Sequence, residues 1–594
     1  MNKKTFNKFF IFIIFTFLIC LISILIFIKP SKGYEISIYN SFPTYFWILL
    51  LLIYVISIVL YILNILNKNK ELLNNKYLFI ILLLINIIIL ILPISRGYVF
   101  GGNSVSSDIW AHAGIVKEIT LNSQIPLDNL YPILHIFIFN INNIINIDMI
   151  NYIYLIPIYF SILYIIFFHI LSKTLNKTKK RLTFFMSLFS FPLIYSHFHY
   201  SMHPAFFSFI FSILILSIYY KNKSGYFNNN KTIIIILCLF IVFFHPITTF
   251  ILIIIFILII ITNKMLKQKK TLYLEKTIFL ILTLSFSTWN IIVGKGLYGI
   301  TNAIYDFIYG SENAIGARYS GYLKIADLSI IQLTRLIIFR YGSILIIGLL
   351  TIIVIINILL NINKKIRNKK ENKNIITFII ILIFLILFSL LMNFIMGMII
   401  NPIRNSFFAL LFCIIIISYY ISNNYIKDEI NNKKKFVISV FIILIIICSI
   451  ISVINIYSSP ITWSTNSQTT EHYVKGGNWF IEKRNINFSV GTDYGANVER
   501  LEQYYYEKIN KHKTENIEYY LLESHFRDPK NISIKNNNYL INTKLNKISY
   551  KAFPENLMDK VTYFNEDDFK RIDNNKKINK IYENNEFEIR IKKE

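Results

Sequence analysis

Blocks of Ile, Leu, Phe and Val recur along most of this chain, each long enough to cross a ~30 Å hydrocarbon core or nearly so. In that solvent backbone N–H and C=O groups must be satisfied within the segment, so blocks of this kind fold as helices. The chain is therefore a multi-span α-helical membrane protein. Hydrophobic residues make up 55% of its 594 residues, and the stretch that alternates like a water-soluble domain is the last part, from about residue 458. Cys20, Cys238, Cys413 and Cys448 sit far apart inside apolar blocks. They read as small buried hydrophobes, not as a disulfide framework or a zinc set.

The spans are expected at 9–28, 44–64, 76–94, 149–171, 182–196, 203–220, 232–244, 247–263, 274–293, 342–360, 375–397, 405–421 and 435–456, about thirteen transmembrane helices. Their orientation follows from the placement of Lys and Arg. With the N-terminus cytoplasmic, the inner segments hold 29 of these residues and the outer loops only ten. Lys3, Lys4 and Lys8 precede the first span with no small-residue cleavage pattern after it, as in an uncleaved anchor. The net charge of +28 thus speaks for membrane lipid and against nucleic acid as a partner.

This arrangement puts loops 95–148 and 294–341 and the tail on the outside. Residues 1–75 form an N-terminal transmembrane hairpin, 76–457 the transmembrane core, and 458–594 a small C-terminal α/β or α+β extracytoplasmic domain. In the tail, 471–484 and 496–510 have helical patterns, whereas 487–492, 518–525 and the charged end read as strands. Asn487-Phe-Ser and Asn531-Ile-Ser are glycosylation sequons on that side. Within 95–148, Asp108 to Thr120 reads as a capped helix and Tyr131 to Asn140 as an interfacial one, with an Asn-rich turn after it.

The polar groups most out of place beside so much apolar sequence fall on one face. Asp108 and His112 are i and i+4 in SDIWAH, so a helix gives them a common side. A carboxylate there is suited to act as a general base or to hold a cation that carries a phosphorylated substrate. Asp108 as a plain cap is the simpler alternative. His197, His199 and His203 lie within YSHFHYSMHP, and His245-Pro246 repeats the His203-Pro204 pair; imidazoles there suit a metal, a phosphate or a sugar hydroxyl, a structural zinc site being the poorer fit, or serve only as polar helix ends. Arg335 and Arg340 in LTRLIIFRYG and Arg404 in NPIRNSFF stand at outer span ends, where guanidinium groups bind phosphate bidentately or snorkel to headgroups. No P-loop, H-E-x-x-H or G-x-S-x-G motif is present, and no ionisable residue is placed mid-span as in an ion-coupled transporter.

The long first outer loop of the core, the acid near its start and the outer soluble domain together resemble the integral-membrane glycosyltransferases of the C type, which use polyprenyl-phosphate-linked sugars. The stretch NWFIEKRNINFSVGTDYG is similar to tails of archaeal and bacterial members of unknown acceptor. The resemblance implies transfer of a sugar from a polyprenyl-phosphate donor to a cell-surface glycan, lipid or protein acceptor, with inversion. It implies Asp108 as the catalytic base and Arg404, with Arg335 or Arg340, as phosphate ligands. His112, His197, His199, His203 and His245 would line the pocket. SSDIW lacks the second acidic residue of the family's paired motif, so a divalent cation is an open candidate as cofactor. The tail lacks W-W-D-x-G, which argues against protein N-glycosylation en bloc. A lipid-linked substrate transporter or flippase, and a structural assembly factor for a surface polymer, are the competing readings.

Overall fold

A computed structural model describes residues 3–66, 75–100, 109–126, 129–175, 186–223, 231–267, 272–293, 328–360, 370–395, 402–424, 432–466, 468–492, 498–505, 518–521, 538–556 and 564–592. The N-terminal hairpin is α1 (Lys3–Phe27) and α2 (Thr44–Leu66), packed on α3 (Asn75–Ser95). Strand β1 (Tyr98–Phe100) and loop helices α4 (Ile109–Asn122) and α5 (Pro132–Ile145) follow. The core continues through α6 (Leu155–Leu175), α7 (Pro204–Lys223), α8 (Lys231–Phe244), α9 (Pro246–Met265) and α10 (Leu272–Val293). Helix α11 (Ile330–Leu336) passes through a π-helical turn, Ile337–Tyr341, into α12 (Gly342–Leu360), and α13 (Lys370–Ile395), α14 (Pro402–Asn424) and α15 (Asn432–Asn455) complete the bundle. Among the described residues, nine helices are long and apolar enough to cross a membrane and four shorter apolar helices join them.

Twelve of the thirteen expected spans contain such a helix. The exception is 182–196, whose described part, from Met186, is not a continuous helix. Pro192 removes an N–H and disfavours helical backbone at Phe191. The chain folds instead through short turns, with N–H donation from Phe189 to Met186 and from Ser190 to Ser187. Irregular backbone at membrane depth survives only where protein covers it and supplies partners. Here residues 186–195 are all buried, and the Asn86 amide of α3 donates to the Phe191 carbonyl at 3.0 Å. The segment still crosses the bundle: Ser187 meets His169 near one end of α6, and His199 meets Ser161, eight residues back along it. That is about 12 Å of helix rise, so the alternation of sides is kept although the helix is lost.

The tail begins with β2 (Thr469–Thr470) and α16 (Glu471–Lys483), then β3 (Ser489–Thr492), α17 (Val498–Tyr505), β4 (Tyr519–Leu521), β5 (Asn538–Thr543), α18 (Glu566–Asp573), β6 (Ile578–Glu583) and β7 (Phe587–Lys592). Five strands form one sheet in the order β4-β3-β5-β7-β6, with β3 parallel to both β4 and β5 and the β5-β7-β6 edge antiparallel. Helix α16 lies against β7 so closely that a Cβ on Gly476 would stand 2.4 Å from Cβ of Phe587. A Cβ on Gly477 would stand 2.0 Å from Cδ2 of Leu501, so packing requires both of these helix-weakening glycines.

Tail and loop 95–148 meet at the same end of the bundle. β1 pairs with β2 in register Tyr98↔Thr470, and Trp110 of α4 packs edge-on against Tyr504 of α17 at 5.8 Å. The loop of the N-terminal hairpin locks this seam. Tyr34 donates to the Asn466 carbonyl at 2.5 Å, and the Asn466 amide donates to the Glu35 carbonyl at 3.0 Å. The Glu35 carboxylate takes hydrogen bonds from Arg96, Tyr98 and Ser41. At the opposite end, buried Glu275 of α10 accepts from Tyr219 at 2.5 Å and from Asn263 at 2.7 Å, tying α7 and α9 to α10.

Candidate functional site

Two polar clusters occupy the bundle end beneath the tail. The first is built by the loop helices. Pro132 opens α5 at a position where its missing N–H costs nothing. The buried face of α5 then carries His135 among Leu134 and Ile138. Nδ1 of His135 lies 3.0 Å from Oδ1 of Asn129, and its Nε2 lies 2.8 Å from Nδ1 of His112 on α4. An amide oxygen only accepts, so His135 donates from Nδ1 and accepts at Nε2; His112 donates from Nδ1, which leaves Nε2 as its basic nitrogen. Burial and the neighbouring His112 hold His135 well below the usual imidazole range, so the chain of bonds is a neutral one. Tyr131 joins this cluster to the next helix pair, its ring stacked on His245 at 5.5 Å.

The His245-Pro246 pair has a structural cause. Nδ1 of His245 accepts from the Thr248 N–H at 3.2 Å and lies 2.9 Å from its hydroxyl, capping α9 with Pro246 at its first position. The Thr248 hydroxyl also reaches the Ala205 carbonyl at 3.4 Å, in the first turn of α7 that His203-Pro204 opens. There the second cluster begins. His203 lies 5.6 Å from His197 between ring centroids and 4.7 Å from Phe198, which abuts Phe407 of α14 at 4.9 Å. Burial, and then the charge of Arg340, push His197 down to about 4.

The structure thus brings His112, His245, His203, His197 and Arg340 to one end of the bundle. His199 is turned away into the packed interior, fully buried with Nδ1 at 2.6 Å from the Ser161 hydroxyl. Arg335 and Arg340 are both exposed, Arg340 in the π-helical turn with its guanidinium 5.7 Å from the Tyr341 ring centre. Arg404 falls in the first turn of α14, three residues before Phe407; its side chain lies outside the described residues. Asp108 also lies outside them, immediately before Ile109, where α4 starts, as do Gly101–Ser104, residues 294–327 and Asn531. Among the described residues no three His, Cys, Asp or Glu side chains converge as a metal set.

Asn129, Tyr131 and His135 were not anticipated from the sequence, although a histidine on the apolar face of PILHIFIF is the kind of buried polar group that requires a partner. Asn405, fully buried beside Arg404 with neither amide atom bonded among the described residues, was equally silent.

Fold and site define a class: a polytopic α-helical membrane protein whose first core loop and C-terminal α/β domain close over ionisable groups at one membrane face. No family model matches the sequence, and no curated protein matches it. Among solved structures the chain is similar to the Archaeoglobus fulgidus oligosaccharyltransferase in its apo form, at 10% identity over 80% of this chain and 71% of that one, with a TM-score of 0.48. The same enzyme tethered to an acceptor peptide containing the NVT sequon gives 10% identity, 80% and 70% coverage and a TM-score of 0.48. With an inhibitory peptide and a dolichol-phosphate the values are 8%, 80%, 71% and 0.47. At this identity and TM-score no residue, substrate or activity is carried across.

Proposed function

We propose that this chain transfers a sugar from a polyprenyl-phosphate-linked donor to a glycan, lipid or protein acceptor at the outer membrane face. The observation that carries the reading is the meeting of α4, the His112–His135 pair, the His245 turn and Arg340 at the bundle end that the tail covers. Lipid phosphate, sugar and acceptor would converge there from membrane and water. The Lys and Arg bias supports assigning that end to the outside, with the N-terminus in the cytoplasm.

The leaving group of such a donor is already a phosphate, so the protein must supply a base and a cationic cradle. Asp108 takes the proton of the acceptor hydroxyl as its oxygen bonds to the anomeric carbon. The bond from that carbon to the phosphate oxygen breaks in the same step, and the electron pair leaves with the lipid phosphate. One displacement inverts the anomeric centre. Arg404, with Arg340 or Arg335, stabilises the departing phosphate, while His112, His203 and His245 border the sugar. A divalent cation, if used, would sit with Asp108 and offset phosphate charge.

Transfer by purified protein from a polyprenyl-phosphate sugar is the test. Asp108→Asn should lower it by roughly 10²-fold or more while donor binding persists. Arg404→Ala should weaken donor binding and turnover together. Equal rates for wild type and Asp108→Asn would remove Asp108 from the mechanism. Donor movement across the bilayer without transfer would favour a flippase.

A further inference from the structure

Apart from these two clusters, a polar cavity of about 260 Å³ opens between the loop helices and the tail helix α17. Its walls come from three places: Lys117 and Thr120 on α4, Asn142 and Asn146 with Asp148 at the end of α5, and Tyr504 on the tail helix α17. None of the groups assigned above lines it. The Asn-rich turn that sequence alone presents as a connector is one of its walls, held in shape by Asn146 in left-handed backbone (φ 53°) at the C-cap of α5.

We infer that this cavity binds one neutral hexose unit of a glycan. Its volume falls below the roughly 300 Å³ at which drug-sized sites begin, so it admits a single small polar unit. Oδ1 of Asp148 is occupied, accepting from the Tyr504 hydroxyl at 2.7 Å and the Ile150 N–H at 3.3 Å, so Oδ2 is the oxygen it presents to a ligand. The Asn142 oxygen accepts from Tyr152 at 3.0 Å, so its NH₂ is the group it offers. A carboxylate acceptor, amide donors, an ammonium and a hydroxyl match the alternating donors and acceptors of vicinal sugar hydroxyls. Phosphate and uronate are disfavoured by the Asp148 charge and amines by Lys117. Val116 and Met149 supply a small apolar wall for a ring face.

The position suits an acceptor or growing glycan. Lys117 stands eight residues along α4 from Ile109, about 12 Å of helix rise from the residue that follows Asp108. Choosing a glycan unit rests on the sugar-transfer reading, but binding is measurable with no donor present.

Saturation-transfer NMR on the full chain in detergent, with methyl glucopyranoside, galactopyranoside and mannopyranoside, provides the test. Methyl glucuronide and inorganic phosphate are the charged comparisons. At least one neutral hexoside should bind in the millimolar range usual for single sugar contacts, and Lys117→Gln and Asp148→Asn should each weaken it by about tenfold, the loss of one charged hydrogen bond. Lys117 is partly exposed on its helix and Asn at 148 keeps the cap on Ile150, so unchanged thermal unfolding should accompany both losses. Failure of every hexoside to bind, binding of only the charged probes, or full binding in both variants would overturn the site. Hexoside binding without any sugar transfer would sink the catalytic reading alone; transfer without hexoside binding would sink this site alone.

Discussion

Glu586 shows how one buried atom sets a pH response. It sits in the turn between β6 and β7, 5% exposed, and burial raises its carboxyl from 4.5 to about 8 despite nearby Lys544. The folded state holds this proton more tightly than the unfolded chain. Its stabilising contribution is therefore complete below pH 4.5 and is lost as pH rises through 8. At about 1.4 kcal/mol per pKa unit the upper limit is on the order of 5 kcal/mol. Between pH 6 and 9 the tail should lose stability in the wild type and hold it in Glu586→Gln, read as melting temperature; parallel slopes would refute this. His135 makes a second residue-scale prediction. Replacing it with Phe takes away the acceptor of the His112 Nδ1–H, at about 1–3 kcal/mol for a buried group that loses its bond, whereas the Asn129 oxygen keeps the Tyr131 N–H at 3.0 Å. His135→Phe should therefore lower both melting temperature and sugar transfer. His135→Gln, whose oxygen can accept from His112, should recover part of each; no recovery would mean that ring packing matters and the hydrogen bond does not.

Among the elements, long apolar runs were legible because periodicity and length are local properties. Twelve spans, the α4 and α5 loop helices and most tail elements follow from such patterns. The segment after Met186 did not, because its outcome depends on Asn86, about a hundred positions away. An apolar run that ends in Phe-Pro is ambiguous until a partner for the freed carbonyl is known. The candidate functional face was half legible for the same reason. His-Pro repeats and Asp108 with His112 stand out along the chain, whereas Asn129, His135 and Tyr504 acquire meaning only when α4, α5 and α17 meet. The test at this scale is Asn86→Leu. It should leave the helices intact yet destabilise the bundle by about 1–3 kcal/mol, measured by detergent-induced unfolding, because Phe191 loses its donor. A neutral result would show that the irregular crossing is held by side-chain packing alone.

For the whole molecule, the contact of loop 95–148 with the tail puts both at one end of the bundle, and the excess of basic residues in the other set of loops is what argues that this end faces outward. Cysteines introduced at Ser107 and Ser533 should both react with a membrane-impermeant maleimide on intact cells. Reaction of either only after permeabilisation would separate the loop from the tail and dissolve the proposed site. The seam between them carries a further consequence, for biogenesis. Tyr34 and its partner Asn466 are 432 positions apart, and Glu35, Arg96 and Tyr98 complete the same knot. A ribosome delivers the first of these groups long before the last, and domains otherwise tend to fold from the N-terminus as they emerge. The first hairpin must therefore wait in the membrane with its outer loop unlatched until the fifteenth helix has been inserted and the tail has followed. A chain cut short anywhere before Asn466 carries the earlier helices but lacks the partner of Tyr34 and Glu35, so this face of the bundle closes only late in synthesis.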